Sequence, residues 1–436
     1  PVSIIFTTGT AVDPKGVVHT HQSFLNNLRG VNFYLSLSAA DRLVSVLPLY
    51  HALEFTCGFL MPLYRNATVT YVQSLKPKVI LETMRETRTT CMLGVPTLYA
   101  LIREDLERRV LKTAKSPLKN NLVSTSRRLS HSLEQTLGRN LGKRLFRKVH
   151  GEFGGRVRIL VSGGSALGRR LYRDFRAMGM SIYEGYGLTE TAPVLTVNPL
   201  HRSRESSAGK PLPGVELRLY RPDQDGIGEI IVKTPSIMTG YYRNPAATEK
   251  AFRDGWFHTG DLGWVDADGY VYITGRCKDV IVTGAGKNVY PTDLEAIYST
   301  LPSVEEICVC GVRNGLTEDV HGLIVPVADR VTGLSPDVAK KLVQQEIQEV
   351  AKELPSYHRL QAIHLRTTPL PRLEDGSLDR ATVKDEILET GGRAVKGPVV
   401  HEAGRRQSLL TELSRLSGLD PEEITCLLYT SPSPRD

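Results

Sequence analysis

The sequence predicts an α/β protein: a large layered α/β domain with a β-rich subdomain, followed by a small C-terminal α+β domain. Three observations carry this expectation. Short apolar runs alternate with amphipathic helical stretches from Val2 to Tyr183, the pattern of a parallel sheet with crossover helices. From Pro213 to Arg276 the runs read as antiparallel β with Gly-rich turns. After Arg276 the pattern changes again into a smaller mixture of helix and strand. The expected boundaries are 1–276 for the large domain, 277–390 for the small domain, 391–425 for a linker and the stretch that follows it, and 426–436 for a non-native tail.

The elements follow in chain order. Val2-Ser3-Ile4-Ile5-Phe6 reads as a short buried strand. His19 to Leu35 reads as a helix with Phe24, Leu25, Leu28, Val31 and Leu35 on one side. Arg42 to Leu47, Ala67 to Val72 and Thr90 to Val95 read as strands, the first and last stopped by Pro48 and Pro96, with a helix over Lys78 to Arg88. Residues 108–148 are strongly basic, with leucines at near-helical spacing from Leu122 to Leu145. A solvated amphipathic helix pair is the simpler reading; a surface touching membrane phosphates is the alternative. Val157 to Ser162 and Ser181 to Tyr183 read as strands flanking a helix from Leu167 to Met178. Pro213 to Tyr220, Ile227 to Lys233 and the stretch Trp256 to Arg276 form the β-rich block. In the small domain, which Val280-Ile281-Val282 and Gly284-Ala285-Gly286 begin, helices are expected over Asp293 to Thr300 and Val338 to Lys352, and strands over Val304 to Arg313 and Ala362 to Leu365. Gly391 to Arg406 is glycine-rich and basic like a linker, and Leu409 to Leu416 reads as one further helix.

Composition bounds the function. The chain has 436 residues, 41% hydrophobic and 23% charged, as expected of globular domains with real cores. Net charge is +8 with a pI near 9.1, a balance that suits nucleotides and acidic substrates. Only two tryptophans occur, with no zinc-finger spacing or basic-aromatic alternation, so nucleic acid is not an expected partner. The six cysteines form no Cys-x-x-Cys pair, which points to a reducing, cytoplasmic compartment. No apolar run approaches the roughly 20 residues of a membrane span, so membrane contact is at most peripheral. Pro1 opens on a strand-like run without an initiator methionine, which predicts that an N-terminal portion precedes it. Cys426 to Asp436 continues no pattern and reads as a cloning or sequencing scar.

Two stretches carry the chemistry. Tyr183-Glu184-Gly185-Tyr186-Gly187-Leu188-Thr189-Glu190-Thr191 mixes glycines, hydroxyls and carboxylates between apolar runs. Glycine weakens strands and glutamate is rarely buried unpaired, so this reads as a ligand loop. Thr7-Thr8-Gly9-Thr10-Ala11-Val12-Asp13-Pro14-Lys15-Gly16 has the same character, and the pair suggests a site for a phosphorylated ligand.

These stretches, followed in order by Thr259-Gly260-Asp261 and Gly275-Arg276-Cys277-Lys278-Asp279, resemble the adenylate-forming superfamily over roughly residues 1–385. The run from Phe146 through Gly163-Gly164-Ser165 to Tyr186 is most similar to long-chain fatty acid–CoA ligases. The resemblance implies that a carboxylate attacks the α-phosphorus of ATP to give an acyl adenylate. A thiol, usually that of coenzyme A, then displaces AMP. It implies that Thr7, Thr8, Gly9 and Thr10 wrap phosphates while Lys15 supplies a point charge. Gly163, Gly164 and Ser165 would lie against adenine, with Glu184, Gly185, Tyr186 and Gly187 on its other side and the Tyr186 ring available for stacking. Thr189 and Glu190 would hold phosphate and Mg2+, Asp261 the ribose hydroxyls, and Arg276 the charge beside them. Lys278 would be the hinge of the small domain, His51 the mouth of the fatty acid pocket, and Gly284, Gly286 and Asn288 a loop entering the thiol tunnel.

The sequence departs from this pattern at Ala11 and Val12, where threonine and glycine are usual, and at Ser377, where the family carries a lysine. Serine has neither the charge nor the reach for the adenylation step; Lys384 is the nearest substitute in sequence. Gln407 to Ile424 resembles the first helix of an acyl carrier protein, which raises a carrier thiol as an alternative acceptor. A catalytically impaired nucleotide- or acyl-binding homologue is the third reading.

Overall fold

The structure is a computed structural model that describes residues 1–7, 14–113, 146–284, 287–314, 317–373 and 378–390. Thr8, Gly9, Thr10, Ala11, Val12, most of the basic stretch, Gly286, Ser377, and all of the expected linker, carrier start and tail lie outside the described residues.

Strands β1 (Ser3–Phe6) and β2 (Gly16–His19) form an antiparallel pair in the register Ser3 to His19. A seven-stranded sheet contains β3 (Arg42–Ser45), β4 (Thr68–Tyr71), β5 (Cys91–Gly94), β6 (Ile159–Ser162), β7 (Ile182–Gly187), β8 (Val194–Val197) and β9 (Lys210–Pro211), in the order β4-β3-β5-β6-β7-β8-β9. Its first five strands in that order are parallel; β8 and β9 add on antiparallel. The expected parallel layered sheet is present; β3 to β6 end within two residues of the expected limits, while β7 runs on from Tyr183 to Gly187.

Both faces are covered at the centre of this sheet, which is why β5 and β6 are almost continuously apolar. Val44, Met92 and Leu160 pack with Ile80, Met84, Tyr99 and Phe175 on one face. Their neighbours Leu43, Cys91 and Ile159 pack with Leu28, Val31 and Leu35 on the other. The latter come from the helix His21–Leu35, capped by Thr20, whose side chain accepts from Ser23 N–H. Leu25, expected on its buried face, is exposed; Ser23, Asn27 and Gly30 are buried instead, because this face also carries polar bonds to the site.

The β-rich block is a five-stranded antiparallel sheet of β10 (Glu216–Tyr220), β11 (Gly228–Lys233), β13 (Phe252–Arg253), β14 (Trp256–Val265) and β15 (Val271–Arg276). Between them, β12 (Gly240–Tyr241) leaves to join β2, pairing Tyr241 with Val17. The small domain begins with the hairpin β16 (Ile281–Val282) and β17 (Asn288–Val289). It continues with the helix Pro291–Tyr298 and the sheet β18 (Val304–Asn314), β19 (Thr317–Pro326) and β20 (Ala362–Leu365), covered by the helices Pro336–Lys352 and Arg380–Thr390. Its own core includes Leu294, Tyr298, Val309, Val320, Val343 and Ile347. Among the described residues no helix is long and apolar enough to cross a membrane.

Candidate active site

The stretch read as a ligand loop is mostly strand. Tyr183, Glu184, Gly185, Tyr186 and Gly187 belong to β7, and only Thr189–Thr191 forms a turn, of 3-10 type. The glycines explain the correction: they are needed for close strand packing. A Cβ at Gly187 would collide with the Pro193 carbonyl oxygen, and one at Gly185 would sit 3.3 Å from the Thr196 carbonyl oxygen, both on the β8 side. Glu184 is tolerated in the strand because its Oε1 accepts the Leu167 N–H at 3.1 Å. Burial pushes its pKa up to about 8, with the Leu167 N–H opposing. Its carboxyl is therefore turned toward Leu167.

The turn is clamped from several elements. The buried His19 donates from Nε2 to the Thr189 carbonyl oxygen at 2.7 Å, and burial lowers its pKa. Asn27 donates to the carbonyl oxygens of Thr191 (3.1 Å) and Val194 (2.7 Å). Met238 N–H donates to the Glu190 carbonyl oxygen at 2.8 Å. The Glu190 carboxylate accepts the Tyr241 hydroxyl at 2.7 Å, and Lys15 Nζ lies 5.0 Å from the centre of the same Tyr241 ring. Lys15 also closes the neck of its loop: Thr7 N–H donates to its carbonyl oxygen at 2.9 Å, and its own N–H reaches Thr7 Oγ1 at 3.4 Å. One tyrosine thus joins the two stretches singled out in the sequence.

A second cluster is built by strand register. Asp261 on β14 pairs directly with Arg276 on β15, and Arg276 Nε meets Asp261 Oδ1 at 2.7 Å. Tyr186 donates its hydroxyl to Asp261 Oδ2 at 2.7 Å. Asp261 is turned in by Thr259, whose Oγ1 accepts the Asp261 N–H and donates to the Ile230 carbonyl oxygen, and by Gly260 at φ +71, a left-handed position that suits glycine. Burial raises the Asp261 pKa and Arg276 opposes it. Arg276 feels Asp261, Tyr186, Glu190 and Asp279 electrostatically, and Tyr186 and Glu190 stand four residues apart on β7 and the turn after it, which links the two clusters.

The remaining expected residues are placed as follows. Gly163 N–H donates to the Gly94 carbonyl oxygen at 3.2 Å, and a Cβ there would stand 2.9 Å from Leu53 Cδ2. Gly164 takes φ +86 and is exposed, and Ser165 is half-buried. These residues follow β6, and Tyr186 and Gly187 end β7, so the site lies at the carboxyl ends of parallel strands, where open α/β sheets place ligands. Lys278 sits exposed in a 3-10 turn, Cys277–Asp279, between β15 and β16. His51 follows β3, half-buried, its ring 4.5 Å from that of Tyr50.

Sequence reasoning missed Tyr241, His19 and Asn27. The signal for Tyr241 was the aromatic pair after a glycine, Gly240-Tyr241-Tyr242. Nothing local marked His19 or Asn27, which act through carbonyls far along the chain. Among the described residues no group of three or more His, Cys, Asp or Glu side chains converges on a metal position. A magnesium ion would take the single carboxylate of Glu190 and complete its shell with phosphate and water oxygens, a donor set that fits a hard cation.

The fold is that of AMP-binding enzymes. Residues 1–242 match the AMP-binding enzyme family and residues 278–388 the AMP-binding enzyme C-terminal domain, and the chain belongs to that family. A relative named long-chain-fatty-acid–CoA ligase, from Mycobacterium bovis, is 33% identical over 322 residues, covering 71% of this chain and 52% of its own. A chloroplastic long-chain-fatty-acid–[acyl-carrier-protein] ligase of Arabidopsis thaliana is 27% identical over 414 residues, covering 80% of this chain and 55% of its own. The crystal structure of ATP-bound MatB from Rhodopseudomonas palustris matches with a TM-score of 0.71 at 28% identity, over 88% of this chain and 67% of that one. The chain spans about half the length of these curated relatives.

Proposed function

We propose that this chain activates a carboxylic acid with ATP, as an acyl adenylate, and passes the acyl group to the thiol of coenzyme A, with a long-chain fatty acid as the acyl substrate. The observation that supports this reading is the pair of clusters Asp261–Arg276–Tyr186 and Glu190–Tyr241–Lys15, joined through β7 and its turn, which carry Tyr186 and Glu190. Each Asp261 oxygen holds one donor and keeps lone pairs for ribose hydroxyls. The exposed part of Arg276 supplies positive charge beside them. Lys15 and the loop it closes bring cationic charge and hydroxyls to the phosphates. A bound Mg2+ would neutralise charge on those phosphates, and Glu190 is the residue to hold it. The protein's contribution is positioning and electrostatics rather than a covalent intermediate.

Thioester formation calls for the small domain to turn about Lys278. In this arrangement Tyr290 donates to Asp223 Oδ2 at 2.7 Å and Thr292 Oγ1 to the Thr274 carbonyl oxygen. Rotation would exchange those bonds. A carrier-protein thiol is the second reading for the acceptor, favoured by the Arabidopsis relative and by the carrier-like run Gln407 to Ile424.

The test is pyrophosphate release over a panel of fatty acids, followed by thioester formation with coenzyme A or a phosphopantetheinylated carrier. Release with long-chain acids and transfer to coenzyme A supports the reading. Transfer only to carrier selects the second acceptor. ATP binding without release for any acid selects a binding homologue and overturns the ligase assignment.

A further inference from the structure

Tyr241 stands 51 residues from Glu190 in sequence, on β12, which leaves its own sheet region to pair with β2. That pairing serves a purpose beyond sheet extension. β2 begins at Gly16, directly after Lys15, so the pairing of Tyr241 with Val17 sets the ring beside the neck of the Lys15 loop. The hydroxyl at the far end of the same ring reaches Glu190 Oε1. The backbone of the Thr189-Glu190 turn is fixed separately, by His19 on the Thr189 carbonyl and Met238 on the Glu190 carbonyl. The tyrosine hydroxyl therefore restrains the carboxylate without being needed to hold the chain in place.

We propose that Tyr241 is a positioning residue for the reaction under Proposed function: its hydroxyl orients the Glu190 carboxylate for a divalent cation, and its ring face holds the Lys15 ammonium toward the phosphates. The inference rests on that reading. A glutamate free to explore its rotamers loses entropy on taking a cation, and a donor on one oxygen settles that loss beforehand. The bond engages Oε1, which leaves Oε2 lone pairs for the metal. A cation over an aromatic face is held weakly and without a competing anion, so Lys15 stays available to phosphate. A carboxylate partner for Lys15 would have cancelled its charge.

The test is calorimetric binding of AMP without metal and of ATP with Mg2+. In the wild type both bind. In Tyr241→Phe, which keeps the ring, AMP affinity stays within about twofold while Mg2+-ATP affinity falls about tenfold and more Mg2+ is needed for half-saturation. In Tyr241→Leu, metal-free ATP binding also falls, by about threefold. Adding Lys15→Met to Tyr241→Leu costs little more, because the two act as a unit. Near-ultraviolet circular dichroism confirms folding of each variant. Equal Mg2+-ATP affinity in wild type and Tyr241→Phe overturns this inference and leaves the ligase reading standing. A parallel fall for AMP and Mg2+-ATP shows a merely structural role and also overturns it. A wild type that binds neither nucleotide overturns both.

Discussion

Glu54 offers a sharp test of the physical account, because it is an acid placed where an acid is costly. It is fully buried, on a π-helical turn, Glu54–Leu60, packed against the sheet. Ser45 donates to its Oε1, and its Oε2 has no hydrogen-bond partner among the described residues. Gly58 is required beside it, since a Cβ there would collide with the carboxyl. Burial pushes its pKa from 4.5 up to about 7, with Ser45 opposing. The sign is that of a raised acid: its stabilising contribution is complete below the unfolded value of 4.5 and is lost as pH rises through about 7. At 1.36 kcal/mol per pH unit the full interval is worth about 3 kcal/mol. Glu54→Gln removes the titration and keeps the shape. Urea unfolding of both proteins at about pH 5 and about pH 8 should show the variant gaining about 2–3 kcal/mol on the wild type across that range. A difference that does not change with pH would refute the reasoning. The consequence reaches the site, because Leu53, the preceding residue, is the side chain that a Cβ at Gly163 would touch.

Three further expectations follow from the site. Asp261→Asn removes the charge shared by Arg276 and Tyr186 and the acceptor offered to ribose; ATP should bind about a hundredfold more weakly by calorimetry, from two hydrogen bonds to a charged group. Gly187→Ala drives a methyl into the Pro193 carbonyl oxygen and should lower stability by about 1–3 kcal/mol, read as a fall in Tm. Ser377→Lys restores the charge that the family pattern carries there; acyl-adenylate formation should rise some hundred- to thousandfold by pyrophosphate release. No gain would place the adenylation charge elsewhere on the chain. Lys384, the nearest lysine, lies 3.5 Å from Glu318 Oε1 on the small domain's own sheet, which leaves the predicted gain to position 377.

Much of the fold was legible because buried parallel strands write themselves as apolar runs. Arg42–Ser45, Cys91–Gly94 and Ile159–Ser162 were each found within a few residues. Ala362–Leu365 was found to the residue. What stayed hidden was set by tertiary contacts. Thr317–Pro326, the ten-residue partner of Val304–Asn314, begins with polar residues. Its signal was the Asn314-Gly315 pair between two β-like runs. The π-helical turn carries a glutamate inside an apolar stretch, which no periodicity flags. Within the candidate site, ordered motifs pointed to Glu190, Asp261 and Arg276, because glycines and hydroxyls cluster around them. They misled on Tyr183 to Gly187, where glycine serves strand-to-strand approach rather than a loop. Tyr241 had only the aromatic pair after Gly240 to mark it, because its contact with Glu190 exists only once β12 pairs with β2.

The most direct measurement is a crystal structure of the protein with Mg2+ and a non-hydrolysable ATP analogue. The account predicts one nucleotide with its ribose hydroxyls on Asp261, its phosphates beside Lys15 and the 7–16 loop, and its cation on Glu190. A nucleotide that touches Asp261 but leaves Glu190 and Lys15 without contact, or one seated away from all three, would contradict it.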